Sequence, residues 1–137
     1  MILLDTNVLI ALMGDRPLRP AAQDAIRSAT PTGSVLVSAT TAWEIGLLAT
    51  RTGRTSQMFL PDGRTWFAKA AGLPGIRLVP FTDEMALDAA YLPSPFHADP
   101  SDRWLVATAR VTGVPLLTMD RAILAYAESG HLKAIQA

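Results

Sequence analysis

The sequence predicts an α/β fold in which helices flank a mainly parallel central sheet. Short β-like runs alternate with helical patterns along the chain, an order that favours a parallel sheet with helical connections. The chain has 137 residues, 50% of them hydrophobic, which is enough to bury a substantial core. We therefore expect one domain over residues 1–137, and the chain shows no internal repeat.

Two short apolar runs predict strands in the first half of the chain, at Ile2–Leu4 and Ser34–Val37. The patterns around them are helical, with apolar residues on one side, whereas Gly and Pro predict loops over Thr52–Gly63. The predicted helices of this half are Thr6–Met13, Ala21–Thr30, Thr40–Arg51 and Arg64–Ala71.

The second half continues the alternation, with strands predicted at Ile76–Val79 and Pro115–Thr118 and an edge strand at Leu132–Ile135. Thr82 is the expected cap of a helix over Asp83–Tyr91. The proline-rich stretch Leu92–Asp99 predicts a loop, and the remaining predicted helices are Asp102–Thr112 and Arg121–Ala127.

Charge is unevenly distributed although the formal net charge is zero. Residues 14–77 hold eight basic and four acidic residues and are therefore +4, while residues 78–137 hold four basic and seven acidic residues and are −3. Most of these residues have a simple interpretation as solvated surface. The alternative is a rim that binds phosphates around an acidic centre.

The composition excludes several classes of site and of protein. The chain has no cysteine, which excludes disulfides, thiolate metal sites and cysteine nucleophiles. The N-terminal stretch MILLDTNVLIALMG lacks a basic leader, and Asp5 interrupts its apolar run, so we expect no signal peptide. No uninterrupted apolar stretch is long enough for a membrane span. We expect a cytoplasmic protein without a membrane partner.

Four acidic residues fall where a parallel sheet binds its ligands. Asp5 directly follows the first predicted strand, and Asp120 comes two residues after the fourth. Asp99 and Asp102 open a helix in the stretch DPSD. Ligands of open α/β sheets bind outside the carboxyl ends of the strands. These acids are therefore candidate site residues.

Glu44 is a fifth unusual acid, because it lies on an otherwise apolar helix between Trp43 and Ile45. A carboxylate in such surroundings is costly to bury unless a group pairs with it. No lysine or arginine follows within a helical turn, since the first is Arg51. A metal ion, or water bound to one, would satisfy this carboxylate.

Each acid also has an interpretation that involves no catalytic or metal-binding role. Asp5, Asp99 and Asp120 are suited to cap helices, and Glu44 would be unremarkable on an exposed helix face. Together, however, five of the twelve acids lie at strand ends or in apolar runs. Close carboxylates repel one another and favour a cation between them. Mg²⁺ and Mn²⁺ prefer such oxygen ligands, and they can activate water and stabilise the leaving oxygen of a phosphodiester.

Four stretches of the sequence together resemble the PIN-domain ribonucleases, and more narrowly the VapC toxins of type II toxin–antitoxin modules. They occur in the family's order and span nearly the whole chain. The matching stretches are LLDTNVLI at 3–10, SATTAWEI at 38–45, HADPSDRWLVATA at 97–109 and PLLTMD at 115–120.

The resemblance implies a Mg²⁺- or Mn²⁺-dependent endoribonuclease and assigns roles to individual residues. The family's acidic quartet falls on Asp5, Glu44, Asp102 and Asp120, and Asp99 matches an assisting acid. We expect Asp5 and Asp102 to be the main metal ligands, with Asp120 and Glu44 completing the site partly through water. The matching supporting residues are Thr6, Asn7 and Thr118.

The resemblance also implies partners. The family usually pairs with a small VapB-like antitoxin that covers the active site, and relatives commonly form homodimers. The RNA-contact stretch differs from many relatives, because Leu48–Pro61 contains Arg51 and Arg54 but no lysine. These two residues and Arg64 are candidates for binding RNA phosphates, with solvated surface charge as the alternative.

Several other side chains have open interpretations. His97 is either a general acid or, as we favour, a residue that fixes its loop or caps the helix. Arg103 either pairs with a neighbouring carboxylate or faces solvent. Trp43 and Trp104 lie in apolar helices and are expected in the core, whereas Trp66 is the better candidate for stacking on a base or contacting a partner.

Two functions from other classes remain as alternatives. The first is a phosphohydrolase that acts on a small phosphate ester through an aspartate nucleophile. Such enzymes usually need a second acid two residues after the nucleophile, where this chain has Asn7. The second is a non-catalytic binding module with a PIN-like fold. In that case, removal of the acids would leave partner binding unchanged.

Overall fold

The structure is a computed structural model that describes residues 1–97 and 99–137. The strands are β1 (Ile2–Leu4), β2 (Val35–Ser38), β3 (Ile76–Val79), β4 (Leu116–Thr118) and β5 (Ala134–Gln136). The helices are α1 (Thr6–Met13), α2 (Pro20–Ala29), α3 (Ala39–Thr50), α4 (Arg54–Gln57), α5 (Gly63–Ala71), α6 (Asp83–Ala90), α7 (Pro100–Thr112) and α8 (Arg121–Glu128). A short 3₁₀ turn covers Thr30–Thr32.

The five strands form one parallel sheet in the order β3-β2-β1-β4-β5. In the centre of the sheet, β1 pairs with β2 and β4, so that Leu3 lies opposite both Leu36 and Leu116. All carboxyl ends therefore point to the same edge. The predicted α/β fold with a parallel central sheet is confirmed.

Two hydrophobic cores cover the two faces of the sheet, and β1 contributes to both. Successive residues of a strand point to opposite faces. Leu4 packs with Val37 and Ile45 on one face, whereas Leu3 packs with Leu105 on the other. Both leucines have no exposed surface. A strand buried on both sides explains why β1 is a continuous apolar run rather than an alternating one.

Every predicted strand and helix coincides with an observed element, with ends that differ by at most two residues. One expectation was wrong, because Thr52–Gly63 is not entirely loop: it contains the short helix α4. Thr82 caps α6 as expected, since its hydroxyl accepts a hydrogen bond from the Met85 N–H at 3.2 Å. Among the described residues, no helix has both the length and the apolar composition needed to cross a membrane.

Two of the three tryptophans show the reverse of the burial expected for them, and Trp104, which was also expected in the core, is partly buried. Trp66, the expected stacking residue, is 8% exposed, and its ring meets that of Phe59 nearly edge-on with centroids 5.0 Å apart. Trp43, which was expected in the core, is 51% exposed and contacts Trp104 with a centroid distance of 5.4 Å. The core of α3 is instead supplied by Ile45, so Trp43 is left on the outer face.

Gly75 offers a test of the packing before β3. Its φ is +83°, and an added Cβ would lie 2.6 Å from Cα of Thr30. We expect Gly75→Ala to reduce the free energy of unfolding by about 1–2 kcal/mol for the positive φ and by about 1–3 kcal/mol more for overpacking. Gly113→Ala is the matched control, because its φ is +71° but its surroundings are open. Urea denaturation of both variants measures the difference, and equal losses would contradict the close contact with Thr30.

Candidate metal-binding active site

Asp5 lies at the carboxyl end of the central strand and is only 5% exposed. It occupies the N-cap position of α1, yet its side chain makes no capping hydrogen bond. Instead, its Oδ2 accepts a hydrogen bond from the Thr118 hydroxyl at 2.6 Å. The helix-cap interpretation of this carboxylate is therefore wrong, and the buried charge is available to a ligand.

Thr118 connects the two central strands at this edge. Its hydroxyl donates to Asp5 and also accepts the backbone N–H of Asp120 at 3.0 Å. The residue is completely buried at the end of β4. A single hydroxyl thus fixes the orientation of Asp5 and the start of the segment that carries Asp120. Its supporting role in a metal site stays a prediction.

Asp120 is both a helix cap and a neighbour of the other acids. Its Oδ1 accepts hydrogen bonds from the N–H groups of Ala122 at 2.8 Å and Ile123 at 3.0 Å, at the start of α8. The capping interpretation is therefore correct, but it does not compete with a site role. The Asp120 charge also contributes to raising the pKa values of Asp5 and Asp102.

Glu44 reaches the same region from α3 and is half-buried. Its Oε2 accepts a hydrogen bond from the Thr6 hydroxyl at 2.7 Å, and the same hydroxyl lies 3.3 Å from that of Thr41. The carboxylate is therefore held by a neutral donor from α1. Asn7, the other predicted supporting residue, is exposed.

Asp99 and Asp102 make different contacts at the start of α7. Oδ1 of Asp99 accepts the N–H groups of Ser101 at 3.0 Å and Asp102 at 3.4 Å, with Pro100 as the first helical residue. The expected cap is thus Asp99. Asp102 is partly buried, and its Oδ2 lies 3.2 Å from Nε2 of His97.

Burial and mutual repulsion raise the pKa values of two of the acids. Burial, followed by the charges of Glu44 and Asp120, raises the pKa of Asp5 to about 6 despite the stabilising Thr118 hydrogen bond. Burial and then the charges of Asp99, Asp120, Asp5 and Glu44 raise the pKa of Asp102 to about 7. Charge–charge effects of this kind indicate that the other four carboxylates lie near Asp102. A divalent cation would relieve the repulsion, and oxygen donors suit Mg²⁺ or Mn²⁺.

His97 lies beside these acids, as its interpretation as a general acid requires, although it was not expected in a metal-binding group. Donor atoms of His97, Asp102 and Asp120 all lie within 4.8 Å of one another. The expected loop-fixing contact is also present, because Nδ1 of His97 accepts the backbone N–H of Asp99 at 3.2 Å. The available sequence signal was that His97 precedes Asp102 by five residues in the same stretch.

Neither expectation for Arg103 was correct. Its guanidinium donates to three backbone carbonyls, those of Ala89 at 3.0 Å, His97 at 3.1 Å and Ala90 at 3.4 Å. Two of these carbonyls lie in the last turn of α6. Arg103 therefore fastens the His97 loop to the end of α6 rather than pairing with a carboxylate or facing solvent.

The three candidate RNA-contact residues are all exposed, as both of their interpretations require. Arg51 follows the last residue of α3, Arg54 begins α4, and Arg64 lies in the first turn of α5. Arg64 also lines a groove between α3 and α5 together with Trp43 and Leu47. A role in binding RNA stays a prediction for all three residues.

Comparisons with known proteins identify the family and the fold of the chain. A family model described as PIN domain matches residues 2–129, and no curated protein sequence matches the chain significantly.

Several solved structures share the fold. A chain of VapBC2 from Rickettsia felis, bound to a promoter DNA fragment, aligns with a TM-score of 0.71 at 11% identity, covering 99% of this chain and 98% of that one. VapBC-5 from Mycobacterium tuberculosis gives 0.64 at 22% identity, with coverages of 98% and 97%. FitAcB from Neisseria gonorrhoeae gives 0.59 at 23% identity, with coverages of 98% and 96%.

The raised pKa of Asp5 predicts how stability depends on pH when divalent ions are removed. The folded state binds the proton of the Asp5 carboxyl more tightly than the unfolded state does. The protonated carboxyl therefore contributes to stability below pH 4, and this contribution is lost as the pH rises through 6. In EDTA at pH 7.5, we expect the free energy of unfolding of Asp5→Asn to exceed that of wild type by about 1–3 kcal/mol. The difference should vanish near pH 4.

Urea denaturation at the two pH values, with Glu128→Gln as an exposed control, measures this effect. A variant that is less stable than wild type at pH 7.5 would contradict the assignment of buried repulsion to Asp5.

Proposed function

The chain belongs to the PIN domain family, and we propose that it is a Mg²⁺- or Mn²⁺-dependent endoribonuclease that acts in the cytoplasm as the toxin of a toxin–antitoxin pair. One observation carries the proposal: oxygens of Asp102 and Asp120 lie within 4.8 Å of each other, and burial together with the charges of nearby acids raises the pKa values of Asp5 and Asp102. Such a site favours a divalent cation over an empty state.

The residue roles follow from the contacts at the site. Asp5 and Asp102 are the proposed principal ligands, because they are the acids with the strongest need for a neutralising charge. Asp120 and Glu44 complete the site, and Asp99 assists by fixing the start of α7. A bound Mg²⁺ or Mn²⁺ supplies positive charge for the phosphodiester and promotes ionisation of a water molecule.

The remaining polar residues hold this arrangement or bind the substrate. The Thr118 hydroxyl keeps Asp5 oriented, and the Thr6 hydroxyl does the same for Glu44. Because their donors are neutral, these hydrogen bonds leave the negative charge of the acids intact for the cation. Arg51, Arg54 and Arg64 are the proposed contacts to RNA phosphates, which neutralise backbone charge without reading the sequence.

We propose two protein partners, a small VapB-like antitoxin and a second copy of the chain. The solved structures with this fold include toxin–antitoxin complexes, which supports the first. A basic antitoxin residue would be attracted to the acidic site and would block it. The second is supported by a groove of about 1050 Å³ between α3 and α5, beside which Leu47 is 44% and Leu60 is 68% exposed.

Cleavage of a mixed structured RNA pool tests the nuclease proposal. We expect discrete products with Mg²⁺ or Mn²⁺, none with EDTA, and a loss of about 100-fold or more in Asp5→Asn and Asp102→Asn. Asp83→Asn is the matched control, because Asp83 is an exposed acid at the start of α6. We expect this variant to cleave RNA like wild type.

Equal cleavage by Asp5→Asn would contradict the proposed site. Hydrolysis of a small phosphate ester but not of RNA would favour the phosphohydrolase alternative. Retained toxicity in cells without any metal-dependent cleavage would favour a binding module.

Sedimentation velocity tests the proposed homodimer. We expect the wild-type chain to sediment as a dimer and Leu47→Glu as a monomer, because a charge in the groove would be buried without a partner. Leu87→Glu is the control, since Leu87 on α6 is 60% exposed and lies outside the groove. A wild-type monomer at all concentrations would contradict the dimer, and a dimeric Leu47→Glu would contradict its location.

A further inference from the structure

We propose that the exposed indole of Trp43 is a stacking surface for an unpaired base of the RNA substrate, next to the acidic site. RNA as the substrate rests on the proposed function, whereas the aromatic surface itself does not. Trp43 directly precedes Glu44 on α3, so the Cα atoms of the two residues are about 3.8 Å apart. Trp43 is 51% exposed, although tryptophan is highly buried on average.

Three rings from separate segments form an aromatic cluster, which consists of Trp43, Trp104 and Phe81. Trp104 meets Trp43 nearly edge-on, with centroids 5.4 Å apart and an interplanar angle of 70°. Phe81 packs against Trp104 at 5.8 Å, and both of these rings are partly buried. An edge-to-face contact covers no more than one face of an indole ring. Trp43 is therefore held in place by Trp104 and still has a face available to a ligand.

The aromatic cluster lies at the same edge of the sheet as the acids. Phe81 comes two residues after the end of β3, and α3 begins directly after β2. These two strands stand beside β1 in the parallel sheet, and Asp5 follows β1 directly. Neighbouring strands are about 4.8 Å apart, so β3 and β1 are separated by about 10 Å. An RNA strand with one phosphate at the acids therefore has its neighbouring bases within reach of the cluster.

The charge of the site favours a contact to RNA that does not depend on charge. The acids repel the phosphates of an RNA strand. Arg103, the residue after Asp102, donates to three backbone carbonyls, and Arg110 on the same helix pairs with Asp88 at 2.8 Å. Both guanidinium groups are therefore engaged within the protein. Stacking of bases on aromatic rings is a main source of affinity for single strands, whatever their sequence.

The position of Trp43 in the groove between α3 and α5 also favours RNA as its ligand. The groove contains the exposed Arg64, a proposed contact to RNA phosphates. Leu47, at which we place the dimer contact, follows Trp43 by one helical turn, so Trp43 lies about 6 Å nearer to the start of α3. The Trp43 end of the groove thus borders the acids, and a second copy over Leu47 would cover the part farther from them.

Only an unstacked base can use this surface. Bases in an RNA helix are covered by their neighbours, whereas bases in loops, bulges and single strands can be splayed out and stacked on aromatic side chains. Every base has a π face, so the contact discriminates weakly between sequences. The inference therefore assigns a substrate class: RNA that presents an unpaired base beside the cleaved phosphate.

Binding of a short fluorescent oligoadenylate in EDTA, without cleavage, is the first measurement. We expect Trp43→Ala and Trp43→Leu to bind about tenfold more weakly than wild type, and Trp43→Tyr, which keeps an aromatic face, to bind within about threefold. Tyr91→Ala is the control, because Tyr91 is 82% exposed and lies outside the aromatic cluster. Wild-type affinity in Trp43→Ala, or an equal loss in Tyr91→Ala, would overturn the inference.

A chain of the same length and charge without bases separates stacking from phosphate contacts. We expect the wild-type protein to bind this abasic chain about tenfold more weakly than oligoadenylate, and Trp43→Ala to bind it like wild type. Equal binding of the two probes by the wild-type protein would overturn the inference even if no variant folds. A loss of abasic-chain binding in Trp43→Ala, with thermal unfolding like wild type, would also overturn it.

Nuclear magnetic resonance detects the stacked base directly. The indole N–H signal of Trp43 is identified by its absence in Trp43→Leu. We expect oligoadenylate to move this signal of the wild-type protein upfield, because a base stacked on the indole adds its ring current, and the abasic chain to leave it in place. A signal that does not respond to oligoadenylate would overturn the inference.

Sedimentation velocity tests the other possible occupant of the Trp43 surface, a second copy of the chain. If Trp43→Ala converts a wild-type dimer into a monomer that binds oligoadenylate like wild type, Trp43 belongs to a protein interface and the inference is overturned.

Failure of this inference is distinguishable from failure of the proposed function. If the wild-type chain cleaves no RNA with Mg²⁺ or Mn²⁺ but binds oligoadenylate through Trp43, the stacking surface stands and the nuclease does not. If metal-dependent cleavage of the RNA pool is the same in wild type and Trp43→Ala, the nuclease stands and the stacking surface does not.

Discussion

The repulsion between neighbouring carboxylates at one edge of the sheet is the constraint to which the rest of the site is adapted. Four of the acids are held by neutral donors: hydroxyls for Asp5 and Glu44, and backbone N–H groups for Asp99 and Asp120. Neutral donors fix geometry without cancelling charge. The site is therefore ordered and still strongly negative, which are the two properties that a divalent cation requires.

The topology of the sheet makes this concentration of charge tolerable. Because all strands are parallel, the helices that follow β1, β2 and β4 begin at the same edge as the acids. Helix N-termini carry partial positive charge and unpaired N–H groups. Burial of β1 on both faces fixes Asp5 at the middle of this edge, and α7 brings its own N-terminus with Asp99 and Asp102. The framework thus offsets part of the repulsion that the side chains create.

The sequence was sufficient to predict the order of strands and helices and the acids at the strand ends, since both follow from local patterns. It was insufficient where two faces of a helix are equally apolar. For that reason Trp43 was expected in the core, whereas Trp66 was expected at the surface because Arg64 is close to it in sequence; both helices were predicted correctly. Arg103 was misjudged for a different reason: its partners are backbone carbonyls of α6 and of the His97 loop, and such contacts depend on packing between segments.

The double use of Asp99 and Asp120 restricts how this protein can vary. Each residue supplies a helix cap, for which serine, threonine and asparagine are good replacements, and a negative charge, for which none of these is adequate. Glutamate keeps the charge but is a poor match for a cap built on the short aspartate side chain. Aspartate is the single residue type that meets both requirements. Substitution of these residues by serine, threonine or asparagine would therefore keep the helix and remove the charge. Inactive descendants of such a protein would be expected to remain folded.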